Sequence, residues 1–220
     1  MKTVVFDLDG TLADTSADMI GAANRCFRAM GFADVLEPRR DRRVGLRGGR
    51  AMLSLGLQRL NRFDAAMVDH YYPVFLRTYG RALAVHTRFY QGALESVAML
   101  RAMGYGVGIC TNKPEALARQ LLCEMGAESY FGALVGADTL SVRKPDPAAL
   151  FEVVRRLGGA PGQTLLVGDS ETDHNTARAA CVPSILVTFG AMGEQAANLH
   201  PEALLSDYAV LPRLVATLIG

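Results

Sequence analysis

Short apolar runs recur along the chain in a pattern that predicts a parallel β-sheet. None of them shows the alternation of polar and apolar residues that marks a half-exposed strand, so each is expected to be buried on both faces. The runs with this pattern are Thr3–Phe6, Gly106–Cys110, Ala133–Gly136, Thr164–Val167 and Ser184–Val187. Segments with helical periodicity separate them, namely Gly92–Met103, Pro114–Met125, Pro147–Leu157 and Asp173–Ala180. Strands and helices in alternation predict an α/β fold, a Rossmann-like, doubly wound parallel sheet.

The segment that follows the first strand breaks this alternation. It contains no convincing strand, and its helical stretches are Ala17–Met30, Arg50–Leu60 and Asp64–Tyr79. We therefore expect a catalytic core formed by residues 1–14 and 85–220, with an inserted all-helical domain over residues 15–84. Because this insertion leaves the sheet just after the carboxyl end of a strand, where open α/β sheets bind ligands, we interpret it as a cap over the site. The alternative is a set of additional packing helices.

Composition and charge exclude several classes of function. The formal net charge is +1, so no bulk field attracts nucleic acid or an anionic membrane. No apolar run is long enough to cross a bilayer, and acidic residues interrupt the N-terminal apolar run where a secretory signal would be uncharged. The four cysteines form no CxxC pair, which favours reduced thiols and a cytoplasmic protein. The expected partner is a small molecule, and the expected assembly is a monomer or a homodimer.

Polar residues directly follow or lie near the ends of four of the apolar runs. Because the carboxyl ends of parallel strands meet at one edge of the sheet, these residues are expected to converge. They are Asp7, Asp9, Thr111, Asn112, Lys144, Asp169 and Asp173. Taken singly, each has a simpler explanation, since an aspartate is common in turns and at helix N-termini and a lysine is common in solvated loops. Their occurrence together favours a catalytic site.

The combination of residue types points to phosphate chemistry. Four clustered carboxylates repel one another unless a cation neutralises them, and an all-oxygen ligand set suits Mg²⁺. Lys144 and Thr111 suit a phosphate instead, because an ammonium supplies charge and a hydroxyl supplies a hydrogen bond. A carboxylate can also act as a covalent nucleophile and divide hydrolysis into two easier steps.

The sequence resembles the haloacid dehalogenase superfamily over nearly its whole length. Phe6-Asp7-Leu8-Asp9-Gly10-Thr11-Leu12 is similar to the first motif of that family, and Thr111-Asn112 to the second. Lys144 matches the third motif, and Gly168-Asp169 with Asp173 matches the fourth. A single DxD would be weak evidence, but four motifs in the correct order are specific. The resemblance also implies a cap of the C1 type, inserted after the first strand.

The resemblance implies a role for each matching residue. Asp7 would be the nucleophile and a Mg²⁺ ligand, while Asp9 would act as general acid and base and bind Mg²⁺ through its carbonyl oxygen. Thr111 and the backbone amide of Asn112 would hold the phosphoryl oxygens. Lys144 would neutralise charge shared by the nucleophile and the phosphate. The remaining two acids are Asp169, a metal ligand, and Asp173, which would hold water bound to the metal.

Within the superfamily, the chain resembles the phosphoglycolate phosphatases. Asp9 argues against the dehalogenase branch, which lacks this second acid. The resemblance therefore implies hydrolysis of a small phosphorylated metabolite, with 2-phosphoglycolate as the expected substrate. The alternatives are another small-metabolite phosphatase, an inorganic pyrophosphatase, a hexose phosphate mutase and a non-catalytic binding module. The Gly-rich segment Val44–Arg50 has the composition of a substrate loop, in which Arg47 or Arg50 would bind a second anionic group; an ordinary basic surface loop is the alternative.

One position departs from the pattern of the family. Cys181 precedes the last apolar run where related sequences usually have glycine, at a helix end that adopts a left-handed turn. We expect mild local strain there and no effect on the chemistry. His174 lies beside the predicted site and matches no role in the family.

Overall fold

The chain forms two compact units. The structure is a computed structural model that describes all 220 residues. The first unit comprises Met1–Ala13 and Phe89–Gly220, and the second comprises Asp14–Arg88.

A six-stranded parallel sheet forms the centre of the first unit. Its strands are β1 (Thr3–Phe6), β4 (Gly106–Cys110), β5 (Ala133–Val135), β6 (Thr164–Gly168), β7 (Ser184–Val187) and β8 (Ala203–Leu205). They are arranged in the order β5-β4-β1-β6-β7-β8, and every neighbouring pair is parallel. Two very short strands, β2 (Ala13–Asp14) and β3 (Arg88–Phe89), pair where the chain passes from one unit to the other. The predicted Rossmann-like α/β fold is confirmed, and β8 is a strand that the apolar pattern does not predict.

Helices cover both faces of this sheet. Those of the first unit are α5 (Ala93–Ala102), α6 (Glu115–Glu124), α7 (Pro147–Leu157), α8 (Glu171–Ala179) and α9 (Leu211–Ile219). Helices α7 and α8 contact each other and pack on the central strands, while α5 and α9 form a second contacting pair against β4 and β6. Short 3₁₀ turns occupy Glu128–Tyr130, Pro161–Gln163, Gly193–Leu199 and Tyr208–Val210. Burial on both sides explains why the central strands are mostly apolar.

The order of the strands creates a crevice beside β1. From β1 the sheet extends through β4 and β5 on one side and through β6, β7 and β8 on the other. The strand order therefore changes direction at β1, and in open α/β sheets such a switch point is where ligands bind, beyond the carboxyl ends of the strands. Phe6, the last residue of β1, is in register with Ile109 of β4 and Val167 of β6. The residues that follow these three positions consequently emerge side by side.

Apart from its terminal residues Asp14 and Arg88, which belong to β2 and β3, the second unit builds its regular structure from helices. They are α1 (Ser16–Ala29), α2 (Arg42–Leu46), α3 (Gly49–Arg59) and α4 (Ala65–Gly80), and α1 contacts each of the other three. Their core includes Phe27, Leu53 and Phe75, each of which is at most 1% exposed. The buried Asp41 carboxylate accepts hydrogen bonds from both terminal nitrogens of the Arg59 guanidinium, at 2.7 and 2.6 Å, and these bonds lower the pKa of Asp41.

Two further predictions concern single features of the chain. Cys181 has a φ of +55°, so the left-handed conformation expected at this non-glycine position is confirmed. None of the helices has the length and the apolar character that a membrane crossing requires.

Candidate active site

The first unit brings the predicted acidic residues together at the carboxyl edge of its sheet. Asp7 directly follows β1, and its backbone N–H donates to the carbonyl oxygen of Val167, at 2.9 Å. Asp169 directly follows β6, and Asp173 lies in the first turn of α8. Carboxylate oxygens of Asp7, Asp169 and Asp173 lie within 4.8 Å of one another, and all three residues are buried.

Lys144 bridges two of these acids. Its Nζ lies 2.6 Å from Asp173 Oδ1 and 3.1 Å from Asp7 Oδ1, and its side chain is only 2% exposed. Burial by itself lowers the pKa of Lys144, but the carboxylates of Asp173 and Asp7 outweigh burial and raise it. The lysine is therefore a fixed positive charge at the site, and the alternative of a solvated loop residue is wrong.

Asp173 combines a structural and an electrostatic contact. Its Oδ2 accepts hydrogen bonds from the backbone N–H of Asp169 and from the N–H and hydroxyl of Ser170, at 3.2, 3.1 and 2.6 Å. The Ser170 hydroxyl in turn accepts from the Asp173 N–H, which completes a capping box at the start of α8. One carboxylate oxygen thus starts the helix while the other contacts Lys144, so the capping role and the site role coexist.

Asp169 is held by a loop that the sequence analysis does not include. Ala191, in the loop after β7, donates its backbone N–H to Asp169 Oδ2 at 2.6 Å. Two glycines leave room for this carboxylate, because a Cβ on Gly10 or Gly190 would lie 2.1 or 2.6 Å from Asp169 Oδ2. Gly10 belongs to the DxDG sequence, but no motif marks the loop of Gly190. The strand β7 and the position of its loop at the same edge are the only sequence signals that could have suggested it.

Electrostatics at this edge favour a bound cation. Burial, followed by the charges of Asp173 and Asp9, raises the pKa of Asp7 to about 6 against the attraction of Lys144. Burial, followed by the charges of Asp173 and Asp7, raises the pKa of Asp169 well above its ordinary value. Asp7 Oδ1 is buried and has no partner with hydrogen-bond geometry, although it lies near Lys144 Nζ. The three aspartates could therefore bind a metal ion, which would supply the missing positive charge.

Residues after β4 connect this cluster to neighbouring loops. The hydroxyl of Thr111 is nearly buried and accepts the backbone N–H of Lys113 at 3.2 Å. The side-chain amide of Asn112 donates to the carbonyl oxygen of Lys144 at 3.0 Å, and so ties the lysine loop to the end of β4. Lys113 places its Nζ 2.8 Å from both carboxylate oxygens of Asp9. Sequence reasoning assigned no role to Lys113, although it is adjacent to the matched Thr-Asn pair.

Arg47 is the one predicted site residue that belongs to the helical unit. It follows the last turn of α2, it is exposed, and Gly48 after it has a φ of +94°. Arg50 is engaged within that unit, since its Nη1 lies 2.5 Å from Asp69 Oδ1 and its guanidinium stacks on the Tyr72 ring at 4.5 Å. The role of Arg47 stays a prediction.

Comparisons with known proteins agree with the geometry of the α/β unit. A profile of the haloacid dehalogenase-like hydrolase family matches residues 4–187. A phosphoglycolate phosphatase from Mesorhizobium japonicum is 38% identical over 209 residues, which cover 94% of this chain and 92% of the relative. A second phosphoglycolate phosphatase, from Agrobacterium fabrum, is 36% identical over 98% of this chain and 93% of the relative.

Solved structures show the same fold. The crystal structure of a predicted phosphoglycolate phosphatase from Haemophilus somnus superposes with a TM-score of 0.84 at 23% identity, covering 97% of each chain. A haloacid dehalogenase-like hydrolase from Streptococcus pneumoniae gives a TM-score of 0.79 at 17% identity, also covering 97% of each chain.

Proposed function

Because the chain belongs to the haloacid dehalogenase-like hydrolases, we propose that it hydrolyses a small phosphomonoester through a phospho-aspartyl intermediate on Asp7. The observation that carries this proposal is the contact of Lys144 Nζ with both Asp7 and Asp173. The Asp7 oxygen beside Lys144 is buried and has no partner at hydrogen-bond geometry. A nucleophilic carboxylate requires one oxygen that faces the substrate and a positive charge that restrains repulsion from the phosphate. Lys144 supplies the charge beside Asp7 Oδ1, and the Asp7 side chain stays 12% exposed although Oδ1 itself is buried.

Each chemical step can be assigned to a side chain of the α/β unit. A carboxylate oxygen of Asp7 attacks phosphorus, and the bond from phosphorus to the ester oxygen breaks. Asp9 donates its proton to that departing oxygen, which leaves as an alcohol. Asp9 then accepts a proton from water as the water oxygen attacks the same phosphorus, and phosphate and free Asp7 result.

The remaining residues stabilise negative charge and do not transfer protons. The Thr111 hydroxyl and the backbone N–H of Asn112 would donate to phosphoryl oxygens, and Lys144 would balance the charge that Asp7 and the phosphate share. We propose Mg²⁺ as the cation, held by Asp7, Asp169 and the carbonyl oxygen of Asp9, with Asp173 beside it. The donor set fits, because it consists of oxygens alone. When bound, Mg²⁺ supplies positive charge that stabilises the phosphoryl group during transfer.

We propose 2-phosphoglycolate as the substrate, on the basis of curated relatives at 36–38% identity that carry the name phosphoglycolate phosphatase. In this proposal residues 15–84 act as a cap, and Arg47 binds the carboxylate of the substrate. Arg47 is preferred over Arg50 because Asp69 and Tyr72 already engage the guanidinium of Arg50. An arginine without such partners can form a bidentate contact with a small anion at little cost.

The decisive experiment compares kcat/KM across phosphoglycolate, a hexose phosphate, pyrophosphate and p-nitrophenyl phosphate, with Mg²⁺ present. We expect phosphoglycolate to rank first and EDTA to abolish all activity, with recovery on addition of Mg²⁺ but little recovery with the larger Ca²⁺. Arg47→Ala should lower kcat/KM for phosphoglycolate by about ten- to a hundredfold, the cost of one charge-assisted contact, and leave p-nitrophenyl phosphate nearly unchanged. Arg50→Ala is the matched control. A first rank for the hexose phosphate or pyrophosphate would refute the substrate, and full activity in EDTA would refute the cation.

A further inference from the structure

Lysine is rare in this chain, and its distribution is uneven. The sequence has only three lysines, Lys2, Lys113 and Lys144, among 23 basic residues. Lys113 and Lys144 are 5% and 3% exposed, whereas Lys2 is half-buried at the other end of β1. Burial of an ammonium is unfavourable unless the group is well paired, so the burial of Lys113 requires a specific partner.

That partner is the carboxylate of Asp9. Lys113 Nζ lies 2.8 Å from Oδ1 and 2.8 Å from Oδ2, so one ammonium contacts both oxygens. The Lys113 side chain is 2% exposed and that of Asp9 is 13% exposed. A contact made through both oxygens restricts rotation of the carboxylate about its terminal bond, which a contact through one oxygen does not.

The backbone of Lys113 is itself fixed on both sides. Its N–H donates to the Thr111 hydroxyl at 3.2 Å, and its carbonyl oxygen accepts from the N–H of Ala137 at 3.0 Å. Pro114 follows as the N-cap of α6. Two loops at the carboxyl edge of the sheet therefore hold the main chain of Lys113 in place. This restricts the positions that its ammonium can take beside Asp9.

We propose that Lys113 is a positioning residue, which holds the Asp9 carboxylate in the orientation that proton transfer to the departing oxygen requires. The inference rests on the proposed function, and it adds a residue to which no step has been assigned. When substrate binds, the Asp9 oxygen that carries the proton gives up its contact with Lys113 and donates to the ester oxygen, while the other oxygen keeps its contact with Lys113. Lys113 acts through Asp9 and makes no bond to phosphorus.

A double-mutant cycle on Asp9 and Lys113 tests this role. We expect Lys113→Met to lower kcat for an alkyl phosphate by about ten- to a hundredfold with little change in KM, as for a misplaced catalytic group. In the background of Asp9→Asn, the same substitution should change kcat less than about threefold, because the group it positions is already gone. The deficit should be smaller for p-nitrophenyl phosphate, whose departing oxygen needs little protonation. Lys2→Met is the matched control and should match the native protein.

Several outcomes would overturn the proposal. Equal losses from Lys113→Met in both backgrounds would show that Lys113 does not act through Asp9, and a raised KM with unchanged kcat would make it a phosphate ligand. If the methionine variant does not fold, Lys113→Gln replaces it in the same double-mutant cycle, because glutamine removes the positive charge but retains a hydrogen-bond donor. Crystal structures of the native and variant proteins give a readout without turnover. If the Asp9 carboxylate keeps its orientation in the variant, positioning by Lys113 is refuted. If Asp9 is displaced in the variant but the native protein is inactive, only the proposed reaction is refuted.

Discussion

The four aspartates of the site are chemically identical but differ in the groups that they contact. Asp9 faces Lys113, and Asp173 combines Lys144 with a helix cap. Asp169 accepts a backbone N–H from Ala191, and Asp7 retains a buried oxygen without hydrogen-bond geometry. These differences of environment, more than any difference of chemistry, give identical residues distinct roles in the proposed reaction.

Asp7→Asn tests the nucleophile. The substitution is nearly isosteric, so the fold should survive, but the amide cannot form the phospho-aspartyl bond. We expect kcat to fall by about a thousandfold or more, by analogy with the loss of other catalytic nucleophiles. Steady-state kinetics on p-nitrophenyl phosphate measure the loss, and the thermal unfolding midpoint monitors folding. A folded variant with most of its activity intact would exclude a covalent role for Asp7.

Gly190→Ala tests the space around Asp169. A Cβ there would lie 2.3 Å from Asp169 Cβ and 2.6 Å from the carbonyl oxygen of Gly10, so the carboxylate must move. Displacing a metal ligand through its support should weaken the apparent Mg²⁺ affinity by about ten- to a hundredfold. The Mg²⁺ dependence of kcat gives this affinity. Gly162→Ala is the control, because nothing lies within 4 Å of its Cβ, and an unaltered Mg²⁺ affinity in Gly190→Ala would contradict the role of this loop.

At the scale of elements, helix packing in the second unit depends on close approach between α1 and α3. Gly56 of α3 faces Phe27 of α1, and a Cβ on Gly56 would lie 2.0 Å from the ring. Gly21 of α1 is also within a helix but has nothing within 4 Å of the position of a Cβ. The two glycines therefore separate the effect of helix propensity from the effect of packing.

Alanine at these two glycines should change stability in opposite directions. Gly56→Ala should destabilise the helical unit by about 1–3 kcal/mol, because a ring buried in the core must shift. Gly21→Ala should stabilise it by about 0.5–1 kcal/mol, because alanine restricts the unfolded chain and favours the helix. Urea unfolding followed by circular dichroism measures both. Equal effects at the two positions would indicate that α1 and α3 do not pack as described.

Some elements were predictable from the sequence because burial dictates their composition. Central strands such as β1 and β6 are buried on both faces, so after an initial threonine their residues are apolar and the strand type is clear. The edge strand β8 has three residues, with Leu204 41% exposed, and this length and exposure leave no pattern to detect. Helix α2 is five residues long with two arginines, too short for a period to repeat.

The same reasoning separates the site residues that sequence identifies from those it omits. Asp7 and Asp169 directly follow buried strands, so topology alone predicts that they converge. The contact between Lys113 and Asp9 joins residues 104 positions apart, and the contact from Ala191 to Asp169 uses a backbone N–H that every residue other than proline has. The backbone contact leaves no mark in residue type, and the opposite charges of Lys113 and Asp9 do not by themselves indicate that these two residues pair.

For the whole molecule, we expect the acidic cluster to make stability depend on pH and on the proposed cation together. The pKa of Asp7 in the folded protein is about 6, above its ordinary value of 3.8, so between these pH values the folded form binds a proton that the unfolded chain has released. Stability from this group is therefore highest below about pH 4 and is lost as the pH rises through 6. A cation competes with that proton for the same carboxylate and should restore stability mainly above pH 6.

The measurable consequence is a Mg²⁺ effect on unfolding that increases with pH. We expect a saturating concentration of Mg²⁺ to raise the thermal unfolding midpoint more at about pH 7.5 than at about pH 5, because protons no longer compete at the higher value. In Asp7→Asn the Mg²⁺ effect on the unfolding midpoint should differ less between the two pH values, since the asparagine does not titrate. A Mg²⁺ response of the same size at both pH values in the native protein would show that the cation does not bind where Asp7 titrates.

The burial of two of the three lysines also determines how the protein responds to reagents that acylate amines. Arginine does not react with such reagents under mild conditions, so the accessible lysine target is the ε-amine of Lys2. Lys2 precedes β1 and lies at the edge of the sheet opposite to the acidic cluster. A dye, a biotin or a solid support coupled through amines would thus attach at one end of the α/β unit, and would leave Lys113 and Lys144 unmodified.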